Sequence, residues 1–418
     1  IELSNASGYI GMLTPYVWMF ISSYESLRHY ILQNTNISGL IQLEYNAFEA
    51  ACVPVATFIL HNTDEKYKGN YIKLSDFKGA ENQAPKTIEA IQNHNCGYYY
   101  ETQQNNFSKI PGSPIAYWVK GKTIEVFQNH SISKYGTTSK GIITGDNLQF
   151  LRLWYEVDKV KISFDTKTYL ECETNDYIWY PCNKGGEYRK WYGNNNYLIS
   201  WQHNGELVMQ KGQRKIRNCQ DYSDKYKFIE SITWTSLSSS DSSFRYSNHA
   251  LSESAGMTLF IKKSMLFNTL AFLNSKIATY LINLLNPTLN VTAGLIANLP
   301  VKNIDDHNIK NICQINIKAS KGDWDSFETS WDFTVHPLVK NHVSTISEAY
   351  SLWDKECNER FNQLKANEEE LNRIFIDIYG LQDELDPYVE DKNVTVRKAD
   401  LVRDVKSFIS YAVGCMFG

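Results

Sequence analysis

The sequence predicts a mixed α+β chain: the C-terminal part of an α/β domain (residues 1–75), a connector (76–135), a β-rich domain (136–302) and a helical C-terminal domain (303–418). Three observations carry that reading. Branched and aromatic runs flank one helical pattern in the first 60 residues, short aromatic strands broken by turns fill the middle, and an apolar three-and-four repeat runs from Ile346 to Ile378. With 418 residues and 43% apolar side chains, the chain buries enough surface for two or three domains.

Within the first part, YIGMLT at 9–14 reads as a buried strand ending near Pro15. SSYESLRHYIL opens with serines suited to an N-cap and repeats apolar residues at Tyr24, Leu27, Tyr30 and Ile31, one face of a helix. ISGLIQL and CVPVATFIL follow as strands rich in β-branched residues. Strand, helix, strand is α/β grammar, and the run starts in mid-sheet, so the N-terminal half of that domain is expected to precede Ile1.

From 76 to 135 the chain is polar, and Pro111, Gly112 and Pro114 set a turn in a connector that wraps the first part. NLQFLRLWYEV, YLISWQHNG, SITWTSLSSS and MTLFI then read as short strands of irregular β structure. LFNTLAFLNSKIATYLINLL is interrupted by Asn268, Asn274, Ser275, Lys276 and Asn283, so it reads as an amphipathic core helix rather than a membrane span. The helix that ends at Gly380, a C-terminal cap, would exceed roughly 50 Å and must lean on a neighbour.

No basic segment precedes an apolar run, and no apolar run is long enough to span a bilayer, so a cytoplasmic protein without a membrane partner is expected. Eight cysteines, without CxxC or zinc spacing, read as small buried hydrophobes in a reducing compartment, with no structural metal. The net charge of -4 conceals a gradient. Between Lys184 and Lys227 nine Lys/Arg face four carboxylates, a local +5; between Lys321 and Asp404 ten face nineteen, a local -9.

GxGxxG, Walker A, GxSxG and HExxH are all absent, and no catalytic residue is assigned. His336 in FTVHPLV and the carboxylates of DWDSFETSWDF form one candidate site. The favoured alternative is that Trp324, Phe327, Trp331 and Phe333 pack the start of the tail while Asp323, Asp325 and Asp332 cap turns and helix ends. The stronger signal is basic. Lys184, Arg189, Lys190, Lys211, Arg214, Lys215 and Arg217 interleave with Tyr188, Trp191, Tyr192, Tyr197 and Trp201, cations for phosphates and rings for groove or base contacts. Arg245 in SLSSSDSSFRYSN adds a donor for phosphates or base edges. Double-stranded DNA is the expected partner, and a merely solvated basic face is the equal alternative.

GYIGMLTPYVWMFISSYESLRHYILQNTNISGLIQLEYNAFEAACVPVATFIL resembles the second half of the catalytic domain of gamma-class adenine-N6 DNA methyltransferases. KGIITGDNLQF is similar to the entry into their target-recognition domain, and LAFLNSKIATYLINLLNPTLNVTAGLIANLPV to its exit. More narrowly, FSKIPGSPIAYWV, DWDSFETSWDFTVHPLV and NEEELNRIFIDIYGLQDEL resemble the PglX family of BREX phage-defence systems, along nearly the whole chain.

That resemblance implies a parent enzyme that uses S-adenosylmethionine and flips an adenine out of the duplex. It implies Phe48, by position in YNAFEAACVPV, as the ring that stacks on the flipped base, a core Phe at a strand end being the alternative. The family's cofactor strand and Asn-Pro-Pro-Tyr turn lie outside these residues; LNPT and DPYV lack the second proline and read as ordinary turns. The chain alone is therefore expected to bind no cofactor and to be catalytically silent. Residues 136–302 would be the target-recognition domain. The acidic tail would brace it or meet other defence-system proteins. A stand-alone, non-catalytic DNA-specificity or complex-assembly module is the alternative.

Overall fold

In a computed structural model of the chain, residues 4–48, 53–212, 223–237, 241–286, 290–302 and 306–417 are described. They divide into two compact units, Ile1–His130 with Asn283–Pro287, and Ser131–Ile282 with Thr288–Gly418.

In the first unit β1 (Tyr9–Pro15) leads through two 3-10 turns into α1 (Glu25–Asn34) and β2 (Asn36–Gln42). β3 (Val55–His61), β4 (Lys68–Lys73), α2 (Ala80–Gln92), β5 (Tyr99–Gln103) and α3 (Gly121–Val126) follow. The strands form one sheet in the order β1-β3-β2-β4-β5. β3 runs antiparallel to β1 and β2, whereas β4 runs parallel to β2. The stretch read as a connector thus supplies the fifth strand: Tyr99 and Tyr100 pair with Ile72 and Tyr71, a polar edge whose rings, not its composition, qualify it. One face of the sheet packs Phe58, Leu60 and Tyr71 against Trp18, Met19, Ile31 and Phe107.

Two burial expectations are corrected. β1 has the expected extent, but among the described residues it is an edge strand with β3 as its one neighbour, and Tyr9, Met12 and Leu13 are 66%, 50% and 56% exposed. On α1 the buried face is Arg28, Ile31 and Leu32, while Tyr24, Leu27 and Tyr30 face outward. Arg28 takes the inner position because its guanidinium donates to the carbonyls of Trp18 (2.8 Å), Ile21 (2.7 Å) and Gly112 (2.6 Å).

The second unit runs β6 (Gly136–Ser139), α4 (Asn147–Phe150), β7 (Leu151–Leu153), α5 (Tyr169–Thr174), β8 (Trp179–Asn183), β9 (Tyr197–Ser200) and α6 (Gln202–Gly212). It continues with β10 (Ser231–Thr235), β11 (Phe244–Ser247), β12 (Leu251–Ser252) and β13 (Gly256–Ile261). Two four-stranded sheets result, β11-β10-β13-β6 and β12-β8-β9-β7, around Phe150, Tyr180, Ile199, Trp201 and Phe260.

Helices complete this unit: α7 (Leu266–Leu273), α8 (Lys276–Leu285), α9 (Ala293–Ala297), α10 (His307–Trp324), α11 (Pro337–Lys340), α12 (Ile346–Tyr379) and α13 (Leu401–Phe417). The single amphipathic helix expected over 266–285 is two. The break falls at Asn274, whose side chain accepts from the Phe244 N–H (3.0 Å) and donates to the Phe244 carbonyl (2.9 Å), docking the helix pair on β11. α12 holds its 34 residues as expected, capped by Thr345 and closed by Gly380 at φ 73. Its buried stripe, Trp353, Cys357, Phe361, Leu364, Glu368, Leu371 and Phe375, leans on α10, which runs antiparallel: Asn316 meets Asn367 at one end and Asp323 approaches Arg360 at the other.

Among the described residues no helix is long and apolar enough to cross a membrane. Cys172, Cys182, Cys313 and Cys357 are buried, and burial pushes the Cys357 thiol up to about 12, which keeps it protonated and unreactive.

Candidate nucleic-acid interface

The basic residues of 184–217 do not converge on one surface. Lys184 follows β8, half-buried, with Nζ 4.3 Å from the centre of the Tyr197 ring. Lys211 stands in the last turn of α6, where only the backbone is described, and Arg214, Lys215 and Arg217 lie outside the described residues.

Arg189, Lys190 and Arg245 point into protein. Arg189 Nη2 donates to Asp323 Oδ2 (2.8 Å) and to the Ser320 carbonyl (3.0 Å), Nε donates to the Tyr192 carbonyl (2.8 Å), and the guanidinium lies 5.0 Å from the Trp324 ring. Asp323 is fully buried and also receives the Arg397 N–H (3.0 Å) and Nε (3.2 Å), with Arg360 Nη1 at 4.0 Å. One carboxylate therefore anchors three guanidinium groups. Gly193 makes room for Arg189: a Cβ at its φ of +125 would sit 2.3 Å from Arg189 Nε.

Beside this hub, Lys190 Nζ donates to Glu368 Oε2 (2.8 Å) and Trp191 Nε1 donates to Glu368 Oε1 (2.7 Å). Burial alone would depress the Lys190 ammonium, but the adjacent Glu368 charge more than offsets it and holds the group above the ordinary lysine range. Arg245 donates to the Arg189 carbonyl (3.2 Å) and to Thr235 Oγ1 (3.4 Å), and burial with Arg189 nearby lowers it to about 10. The expectation that Arg189, Lys190 and Arg245 contact DNA is corrected accordingly. All three are buried, and their donors are spent on Asp323, on Glu368 and on the Arg189 carbonyl, so they present no charge to a phosphate.

Asp323 and Glu368, missed as ligands of the basic cluster, had a sequence signal. Glu368 falls in the buried register of α12, four after Leu364 and three before Leu371; Asp323 falls in that of α10, three after Ser320. A carboxylate on an apolar stripe must be paired.

Phe48 ends the described stretch after β2 and is 45% exposed, so it is not a core residue. The buried Glu44 carboxylate shapes its loop by accepting the Asn46 N–H (2.8 Å) and the Gly79 N–H (3.3 Å). His336 caps α11, Nδ1 accepting from the Leu338 N–H (3.3 Å), between the rings of Phe408 and Tyr411. Trp324 and Phe327 are buried as expected, whereas Asp323 is an ion-pair hub rather than a cap.

Burial lowers His336 below the usual histidine range, with Asp404 pulling the other way. Its proton is then taken up more readily in the unfolded chain, so its neutral form costs nothing above about pH 6.5 and stability falls as pH drops below it. His336→Asn, which keeps a capping acceptor, is expected to flatten that acid limb. Melting temperatures at about pH 7.5 and about pH 5.5 check this; equal acid losses in both proteins would remove His336 as the cause.

In the first unit Gly69 faces the Ile37 carbonyl and Gly79 the Glu81 side chain, so neither of these two glycines opens a cradle for a nucleoside.

No protein-family model matches the chain. Its fold has a counterpart in half of a larger solved structure. It is similar to the Type IIL restriction-modification enzyme MmeI, solved in complex with DNA, with a TM-score of 0.51 and 11% identity over 98% of this chain and 50% of that one. In sequence, the whole chain is 40% identical over 433 residues to the adenine-specific methyltransferase PglX of Lacticaseibacillus casei (strain Zhang), covering 36% of that protein. It is 31% identical over 442 residues to the adenine-specific methyltransferase BrxX of Escherichia coli O9:H4 (strain HS), covering 35% of it. The similarity to these adenine-specific methyltransferases runs along the whole chain, which spans about a third of the length of the curated relatives it matches.

Proposed function

We propose that the chain is the DNA-recognition and C-terminal portion of an S-adenosylmethionine-dependent adenine-N6 DNA methyltransferase acting in BREX-type phage defence. The single observation that carries this is the 40% identity to PglX along the entire chain. Residues 1–75 would close the catalytic domain, 136–302 would recognise the target, and 303–418 would brace that domain and offer a face to other defence proteins. The edge of β1, which has no second neighbour among the described residues, is where strands bearing the cofactor and an Asn-Pro-Pro-Tyr turn would add to the sheet, since an exposed apolar edge is an aggregation risk. Phe48, 45% exposed after β2, would stack on an extruded adenine.

The test uses the chain of 418 residues and radiolabelled S-adenosylmethionine. Duplex binding by fluorescence anisotropy is expected, with no methyl transfer. Transfer would show that the chain holds a cofactor site; absence of binding at low salt would remove the recognition role. In a protein that joins this chain to such cofactor-bearing strands, Phe48→Ala is expected to cost about 1–3 kcal/mol of stacking, read as a loss of methylation rate with duplex affinity retained.

A further inference from the structure

A cleft of about 230 Å³ opens in the second unit, joined to the Asp323 hub through Tyr192, whose carbonyl accepts from Arg189 Nε. Its walls include the rings of Phe164, Trp331, Tyr192 and Tyr246, its polar lining includes the carboxylates of Asp165 and Asp332, and no Lys or Arg lines it. Ring faces and carboxylates both present negative potential, so the cleft repels phosphate and attracts a cation. Phe164 and Trp331 stand 5.2 Å apart at 43°, too close to admit a base between them, which needs two van der Waals contacts of about 3.5 Å each. The protein already places an ammonium at this rim: Lys321 Nζ lies 4.9 Å from the centre of the Tyr192 ring, donates to Tyr192 Oη (3.3 Å) and pairs with Asp325 and Asp332. Asp165, exposed, has no ion-pair partner among the described residues.

We propose that this cleft binds an alkylammonium group, with Asp165 as its counter-ion and Trp331 and Tyr246 as its aromatic walls. A free polyamine and a lysine side chain of a partner protein share that chemistry. The inference is separable from the DNA-recognition reading: Tyr192 of the basic segment lines the cleft, but none of that segment's Lys or Arg does, nor does Phe48.

Calorimetry and tryptophan fluorescence on the whole chain, with spermidine and with N-acetyl-lysine methylamide as probes, test it. Saturable binding is expected, weakened about tenfold by Asp165→Asn and by Trp331→Leu in proteins that melt like the parent. Binding of spermidine alone supports the proposal with a polyamine as the source; binding of the lysine amide supports it with a protein side chain. Should Trp331→Leu fail to fold, Asp165→Asn decides alone. Binding of neither probe, or binding that Asp165→Asn leaves unchanged, overturns the proposal, the latter because the amine then sits elsewhere on the acidic tail.

Discussion

Asp323→Ala is expected to destabilise the second unit by about 3–5 kcal/mol, because it leaves three guanidinium groups gathered at a buried point without their carboxylate. For a unit of this size that is a fall of roughly 6–15 °C in melting temperature, readable by scanning calorimetry. Glu368→Gln should act in the same direction by stranding the Lys190 ammonium, 10% exposed. A phosphate-binding Arg189 would behave otherwise: removal of Asp323 would free it, raise duplex affinity and leave stability nearly unchanged. The pH dependence has a defined sign. A lysine whose folded pKa lies above its unfolded value of about 10.4 loses its contribution only as pH rises through the folded value. The Lys190–Glu368 pair therefore gives no loss between about pH 7 and about pH 9.

The second large effect concerns DNA. With Arg189, Lys190 and Arg245 withdrawn into the interior, the phosphate contacts proposed for this region fall to Lys184, Lys211, Arg214, Lys215 and Arg217. Changing Arg214, Lys215 and Arg217 together to alanine is expected to weaken binding to every duplex alike and to flatten log Kd against log salt by about 0.9 for each phosphate that is no longer neutralised. Stability should not change. Unchanged affinity and slope would take the segment off the DNA face; a loss confined to one sequence would make these side chains base readers instead.

Much of the fold was legible because it is local. Period-two and three-and-four patterns located β1 to β3 and α12, and Gly380 marked the end of that long helix by its residue type alone. Burial on β1 was not legible, since YIGMLT carries the same apolar residues whether a second strand flanks it or not. The charge gradient was legible in magnitude, and its purpose was misread at Arg189 and Lys190. Composition shows that 184–227 is basic and 321–404 acidic; it does not show that Arg189 meets Asp323 and Lys190 meets Glu368, a matter of tertiary pairing. The acids on the buried stripes of α10 and α12 were the one local clue.

Residues 189–193, Arg-Lys-Trp-Tyr-Gly, form a plug whose Arg189 and Lys190 seat in sockets made by Asp323 and Glu368 of the same compact unit. A change that removes the plug without its sockets strands both acids in the dry interior. Chimaeras of relatives that keep 187–194 together with their own 303–418 should assemble, and those that separate the two should not. The joint thus acts as a compatibility key.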